Sequence, residues 1–139
     1  MIDVVAAVIH RNGTLLVAQR RGGTLHGKWE FPGGKVEAGE NHREALVREI
    51  FEEFAVRIRA GDFVAAVDFF IGGRPARLYA YFAEYLSGNF IPADHQAVRW
   101  VRPDELLRID LAPPDIPIAG RVMQVSGAVQ EARWIRRKE

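Results

Sequence analysis

Between Pro32 and Val56 the spacing of apolar residues changes from a period near two to a period near four, and this change limits the chain to folds that mix strands with a packed helix. Upstream, "IDVVAAVIH" (Ile2 to His10) and "TLLVAQR" (Thr14 to Arg20) read as strands joined by an Asn12-Gly13 hairpin turn. "KWEF" reads as a further short strand that Pro32 stops, and the glycines after it read as a turn. Beyond them, Leu46, Ile50 and Phe54 recur every four residues. Ala45 permits close packing, and Val47 and Phe51 are expected to broaden the buried face. Asn41 is placed to cap this helix, with Glu44 at the reciprocal position three residues on. A helix with one apolar face must dock against a sheet.

Downstream the period returns to two. "DFVAAVDFFI" (Asp62 to Ile71) and "ARLYAYFAEYL" (Ala76 to Leu86) are separated by Gly72, Gly73 and Pro75, which predicts an antiparallel hairpin. "HQAVRWV" (His95 to Val101) reads as a strand and Pro103 to Leu107 as a turn or short helix. A final helix is expected over Ile116 to Arg136 on Ile118, Val122, Val125 and Val129, with Gly120 and Gly127 weakening its continuity. The expectation is one mixed α/β domain over residues 1–139, with a strongly curved or split sheet covered by helices.

The chain has 19 basic and 18 acidic residues, a formal charge of +1, so no global field favours wrapping a nucleic acid, and a polyanionic ligand must be held locally. The absence of cysteine excludes disulfides and thiolate-ligated metal centres. "VVAAVI" is too short to span a bilayer and has no basic leader before it, so the expected location is the cytoplasm, with no membrane partner. Monomer and homodimer are both compatible with the sequence.

Glu49, Glu52 and Glu53 stand at i, i+3 and i+4, so one helix face carries three carboxylates. Mg²⁺ or Mn²⁺ would compensate this charge, because hard cations take oxygen ligands and also hold phosphate oxygens. A solvated acidic face accounts for the same spacing. The glycines Gly33, Gly34 and Gly39 permit a turn that brings backbone groups close to a ligand, and they serve equally as ordinary turn residues. Arg48 is placed to pair with a carboxylate and fix its rotamer; Glu40 and Glu44 are candidates for contacts through water.

Taken together, Gly34, Glu40, Arg48, Glu49, Ile50, Glu52, Glu53 and Val56 follow the pattern G-x5-E-x7-R-E-U-x-E-E-x-G-U, where U is bulky and aliphatic. This resembles the box of the Nudix hydrolases. Ala55 stands where the family has glycine, which predicts strain where the chain leaves the helix. "WEFPGGKVE" and "DLAPPDIPIAG" look like the MutT-related nucleoside triphosphate pyrophosphohydrolases, the second phrase most like their bacterial CTP pyrophosphohydrolase branch.

The resemblance implies an α/β/α sandwich with a curved mixed sheet and Mg²⁺-dependent attack of water on a nucleotide phosphoanhydride. It implies metal ligation by Gly33 through its carbonyl and by Glu49, Glu52 and Glu53, with Asp94 as a further ligand from the loop before a late strand. Glu49 is the first choice of general base and Glu52 the next, with Arg48 orienting a glutamate. Arg21 resembles an arginine that contacts phosphate, a role its multi-donor group suits. Asp115 matches a residue that reads a base edge and is equally suited to cap the final helix; Phe31 lies beside the proposed metal turn as a candidate base contact. Cytosine nucleotides and oxidised guanine nucleotides both remain open as substrates, as does a noncatalytic nucleotide-binding role. Among the histidines, His26 and His95 are candidates to line the cleft.

Overall fold

Asn12 and Gly13 take the two positive φ angles (51° and 77°) that a tight hairpin turn needs, and they join β1 (Ile2–Arg11) to β2 (Thr14–Gln19). The computed structural model describes residues 1–125. Through them runs one mixed sheet, completed by β3 (Trp29–Glu30), β4 (Gly33–Lys35), β5 (Arg57–Ile71), β6 (Arg74–Ser87) and β7 (Ala97–Val101). The first hairpin splays at once. β1 keeps only the pairs His10↔Leu15 and Arg11↔Thr14 with β2. It then runs parallel to β6 from Ile2↔Ala76 to His10↔Glu84 and takes β4 as an antiparallel neighbour at Val4 to Ala6. β2 meanwhile pairs with β7 from Leu15 to Gln19, and with β3 at Ala18 and Gln19. The sheet is therefore split into two wings that share β1 and β2.

Period-two alternation along β1 sends its side chains to two separate cores. Ala6 and Val8 join Val17, Phe31, Leu78, Leu106, Ile118 and Val122 on one face. Val5, Ala7 and Ile9 join Leu16, Leu46, Ile50, Phe54 and Val56 on the other. The helix α1 (His42–Phe54) covers the second face, while a 3-10 helix (Pro103–Arg108) and a helix α2 over residues 115–125 cover the first. This is the α/β/α sandwich that the resemblance implies, a fold that belongs to the Nudix proteins.

The cap at Asn41 forms as the sequence predicts: its side chain accepts from the Glu44 amide at 2.8 Å and Glu44 accepts from the Asn41 amide at 3.0 Å. Four expectations need correction. Val47 and Phe51 do not widen the buried face; both are exposed, and the Arg57 guanidinium lies 4.8 Å from the centre of the Phe51 ring. α1 is flanked by one sheet face only, so a stripe of about a third of its circumference suffices. The glycine pair after Pro32 enters a strand instead of a turn, because its missing side chains let β4 lie against β1. β5 starts at Arg57, five residues before the expected Asp62, with register shifts between Arg57 and Ala65 that absorb Gly61 and Asp62 as bulges. Asp115 is no cap: it is the first residue of α2. The predicted continuation of α2 through Val129 to Arg136, Trp134 and the basic end lie outside the described residues.

Candidate active site

A Cβ on Gly33 would stand 1.8 Å from the Val5 carbonyl oxygen, and one on Gly34 would stand 2.3 Å from the carboxyl carbon of Glu49. The two glycines thus serve different ends. Gly33 lets β4 approach β1, and Gly34 leaves the space that the Glu49 carboxylate fills from α1. Beside Glu49 on the same helix is Arg48. Its Nε and Nη2 grip both oxygens of Glu40, at 2.7 and 2.9 Å, and Nη2 also donates to the Lys35 carbonyl at 3.0 Å. Its Nη1 donates to Glu49 Oε1 and to Glu52 Oε2, each at 3.1 Å, with Glu37 at 3.5 Å. Burial pushes the Glu49 carboxyl above its ordinary range, against the opposing hydrogen bond from Arg48.

One turn further on, Glu53 is engaged by a different set of partners. Its Oε1 accepts from the Asp94 amide at 2.9 Å, the His95 amide at 3.0 Å and His95 Nδ1 at 2.9 Å; among the described residues its Oε2 receives only the Asp94 amide, at 3.1 Å. The other ring nitrogen of His95, Nε2, meets Glu30 Oε2 at 2.8 Å, and Glu30 Oε1 accepts from Arg20 at 3.0 Å. The side chains of His95 and Glu53 are each 12% exposed. Burial works to raise the Glu53 pKa, but hydrogen bonds from His95 and the loop amides outweigh it and hold the carboxyl below its usual range. Burial likewise opposes charge on His95, and its bonds to Glu30 and Glu53 raise it on balance.

The base-side candidates lie across β3. Backbone bonds from Trp29 N to the Asp110 carbonyl and from Ala112 N to the Trp29 carbonyl, both 2.8 Å, lay the "DLAPPD" tail on this strand. That contact places Asp115 Oδ1 2.9 Å from the Phe31 amide. Phe31 is 3% and Asp115 4% exposed, so the Phe31 ring belongs to the core and presents no open stacking face. Burial pushes the Asp115 carboxyl up to about 8; the Phe31 hydrogen bond works against this shift and Glu30 adds to it. Arg21 is held at the mouth of the site by its bond to the His95 carbonyl at 3.2 Å. Asp94 offers its amide to Glu53, while its exposed side chain forms no hydrogen bond among the described residues. His26 turns back on its own loop, accepting from the Gly22 amide at 2.7 Å.

The expected metal triad is divided. Among the described residues no three Asp, Glu or His side chains surround one point at metal-ligand spacing. Arg48 stands where Glu49 and Glu52 converge, and His95 holds Glu53. The donor chemistry nevertheless fits a divalent cation. Four carboxylates, Glu37, Glu40, Glu49 and Glu52, face a single guanidinium, leaving hard oxygens and an excess of negative charge. Gly34 keeps room for Glu49. The sequence did not single out Glu30 or Glu37, and His95 entered it only as a residue of the cleft. No local signal marks Glu30, whose partner His95 lies 65 positions away.

A split mixed sheet with a capped, carboxylate-bearing helix behind a double glycine defines the class. A model of the NUDIX domain matches residues 1–124, and the chain belongs to the Nudix hydrolase family. Among its relatives, the CTP pyrophosphohydrolase of Escherichia coli (strain K12) is 42% identical over 129 residues, 92% of this chain and 96% of that protein. A protein of Mycobacterium tuberculosis (strain ATCC 25618 / H37Rv) provisionally named 8-oxo-dGTP diphosphatase 2 is 44% identical over 120 residues, 81% of each. The solution structure of the E. coli ORF135 protein superposes with a TM-score of 0.84 at 42% identity, covering 92% of both chains. The crystal structure of the MutT protein from Methanosarcina mazei Go1 gives 0.77 at 26% identity, covering 86% and 91%.

Proposed function

We propose that this chain hydrolyses a nucleoside triphosphate to its monophosphate and pyrophosphate with Mg²⁺, and that cytosine nucleotides (CTP, dCTP or a modified form) are its substrates. The observation that carries the reading is the convergence of Glu49 and Glu52 on one point, 3.1 Å each from Arg48 Nη1, with Gly34 shaped around Glu49. Glu49, Glu52, Glu53 and the Gly33 carbonyl would hold the cation, with Asp94 as a further ligand. A cation held there would neutralise phosphate charge and lower the pKa of an attacking water. Glu49 is the base, and Gly34 leaves the space that its carboxylate fills. Arg48 orients Glu49 and Glu52 through Nη1 while Glu40 holds its other edge. Arg21 takes phosphate oxygens.

Asp115 reads the base. With Oδ1 steadied by the Phe31 amide and burial favouring the neutral carboxyl, it offers both an acceptor and a donor. That pair complements the N4 amino group and N3 of cytosine. The E. coli relative named for CTP, matched over 92% of this chain, supports the same choice. Oxidised guanine triphosphates are the second reading, favoured by the mycobacterial relative named for 8-oxo-dGTP.

The test is pyrophosphate release from CTP, dCTP, 5-methyl-dCTP, 8-oxo-dGTP and ADP-ribose with Mg²⁺, using Glu49→Gln as control. Turnover of the cytosine nucleotides, reduced by about 10²-fold or more in the control, is expected for loss of a positioned base. Turnover of 8-oxo-dGTP alone would transfer the reading to the second substrate. Binding without turnover of any nucleotide would replace catalysis by a binding role.

A further inference from the structure

Glu53 uses its two oxygens unequally. Among the described residues Oε1 accepts three hydrogen bonds, which saturates its lone pairs, and Oε2 accepts one, at 3.1 Å, from an amide that Oε1 already shares. The loop that carries the donors does not need the His95 ring to stay in place. Its backbone is tied to the end of α1 by Ala93 N to the Glu53 carbonyl at 3.0 Å and Ile91 N to the Phe54 carbonyl at 3.4 Å, and to β2 by Gln96 N to the Gln19 carbonyl at 3.0 Å. The His95 ring stacks on Phe54, with centroids 5.8 Å apart and 17° between planes, yet directs both nitrogens at carboxylates, Nδ1 to Glu53 and Nε2 to Glu30. An apolar ring would give the stacking without the desolvation cost of a nearly buried ion pair. The polar groups of the imidazole therefore act on orientation.

We infer that His95 is a positioning residue: its Nδ1 pins Oε1 of Glu53 and leaves Oε2 as the oxygen that would meet a cation, and Glu30, backed by Arg20, sets the plane of the ring. This rests on the metal reading of Glu53 given above and adds a residue outside the glutamate-bearing helix to the machinery. Hydrogen bonding behind a ligating carboxylate or imidazole tunes metal affinity in this manner. The carbonyl of His95 holds Arg21 independently of the ring, so phosphate binding is separable from the effect on Glu53.

Two amides divide the donors of the ring between them. His95→Asn places an N–H near the position of Nδ1, and His95→Gln places one near that of Nε2. Mn²⁺ affinity is measured by the free-ion electron paramagnetic resonance signal, without nucleotide, for wild type, His95→Asn, His95→Gln and His95→Ala, beside thermal unfolding and steady-state kinetics. His95→Gln and His95→Ala are expected to weaken Mn²⁺ binding by about 10- to 100-fold, as loss of a supporting hydrogen bond does. His95→Asn is expected to restore much of that affinity, with KM for nucleotide little changed across the series and kcat at limiting metal following Mn²⁺ affinity. Unchanged Mn²⁺ affinity in His95→Ala, or equal losses in the Asn and Gln variants tracking only thermal stability, would overturn the inference while leaving the metal site standing. If wild type itself binds no Mn²⁺, the metal reading and this inference fall together.

Discussion

Ala55 shows how one side chain sets a local cost. It closes α1 at φ 56° and ψ 34°, its amide bonded to the Phe51 carbonyl at 2.8 Å, in a conformation where a Cβ crowds the following carbonyl. Ala55→Gly relieves that crowding and loses part of the gain to the freer unfolded chain, so a net stabilisation of about 0.5–1 kcal/mol is expected in urea unfolding. No gain would mean that Ala55 pays no strain there. Asp115 carries a cost of another kind. Its carboxyl titrates at about 8 in the fold against an ordinary 3.8, so between those values the folded chain holds a proton that the unfolded chain has released. Stability bound to that proton is present below pH 3.8 and is lost as pH rises toward about 8. Asp115→Asn keeps the oxygen that accepts from Phe31 and removes the titration. The stability of the variant relative to wild type is therefore expected to rise from pH 5 to pH 8, and parallel profiles would refute the burial argument.

At the scale of elements, the short strand β4 and the helix α1 meet through two adjacent glycines that do unlike work. A Cβ at Gly33 meets backbone, which cannot yield without breaking the β1–β4 pairing; a Cβ at Gly34 meets the end of a flexible glutamate, which can swing aside. Gly33→Ala is accordingly expected to cost about 3 kcal/mol of stability, near the upper end of ordinary single substitutions. Gly34→Ala is expected to fold with little loss and to lower kcat by displacing Glu49. Circular dichroism melts beside pyrophosphate-release kinetics separate the two, and a Gly34→Ala variant with unaltered kcat would remove Gly34 from the site. The cap at Asn41 and the Leu46, Ile50 and Phe54 stripe were legible in the sequence because both depend on residues three or four apart on one helix. The width of that stripe was not, since the exposure of Val47 and of Phe51, at 46%, depends on which face the sheet covers.

Across the whole molecule, β1 joins everything: antiparallel to β4, parallel to β6, and parting from β2 after two residue pairs. Its alternating side chains feed both cores, so the sandwich closes around one strand. Among the described residues no helix is long and apolar enough to cross a membrane. The sequence by itself determined the strand–helix alternation, the first hairpin at Asn12-Gly13, the capped helix and the spacing of Arg48, Glu49, Glu52 and Glu53, all of them consequences of near-neighbour geometry. Tertiary structure alone decided that Glu53 turns to His95, that His95 reaches Glu30, and that Phe31 joins the core with its amide on Asp115. Those contacts span 42, 65 and 84 positions, and only the closing of the sheet brings such distant residues within hydrogen-bonding reach.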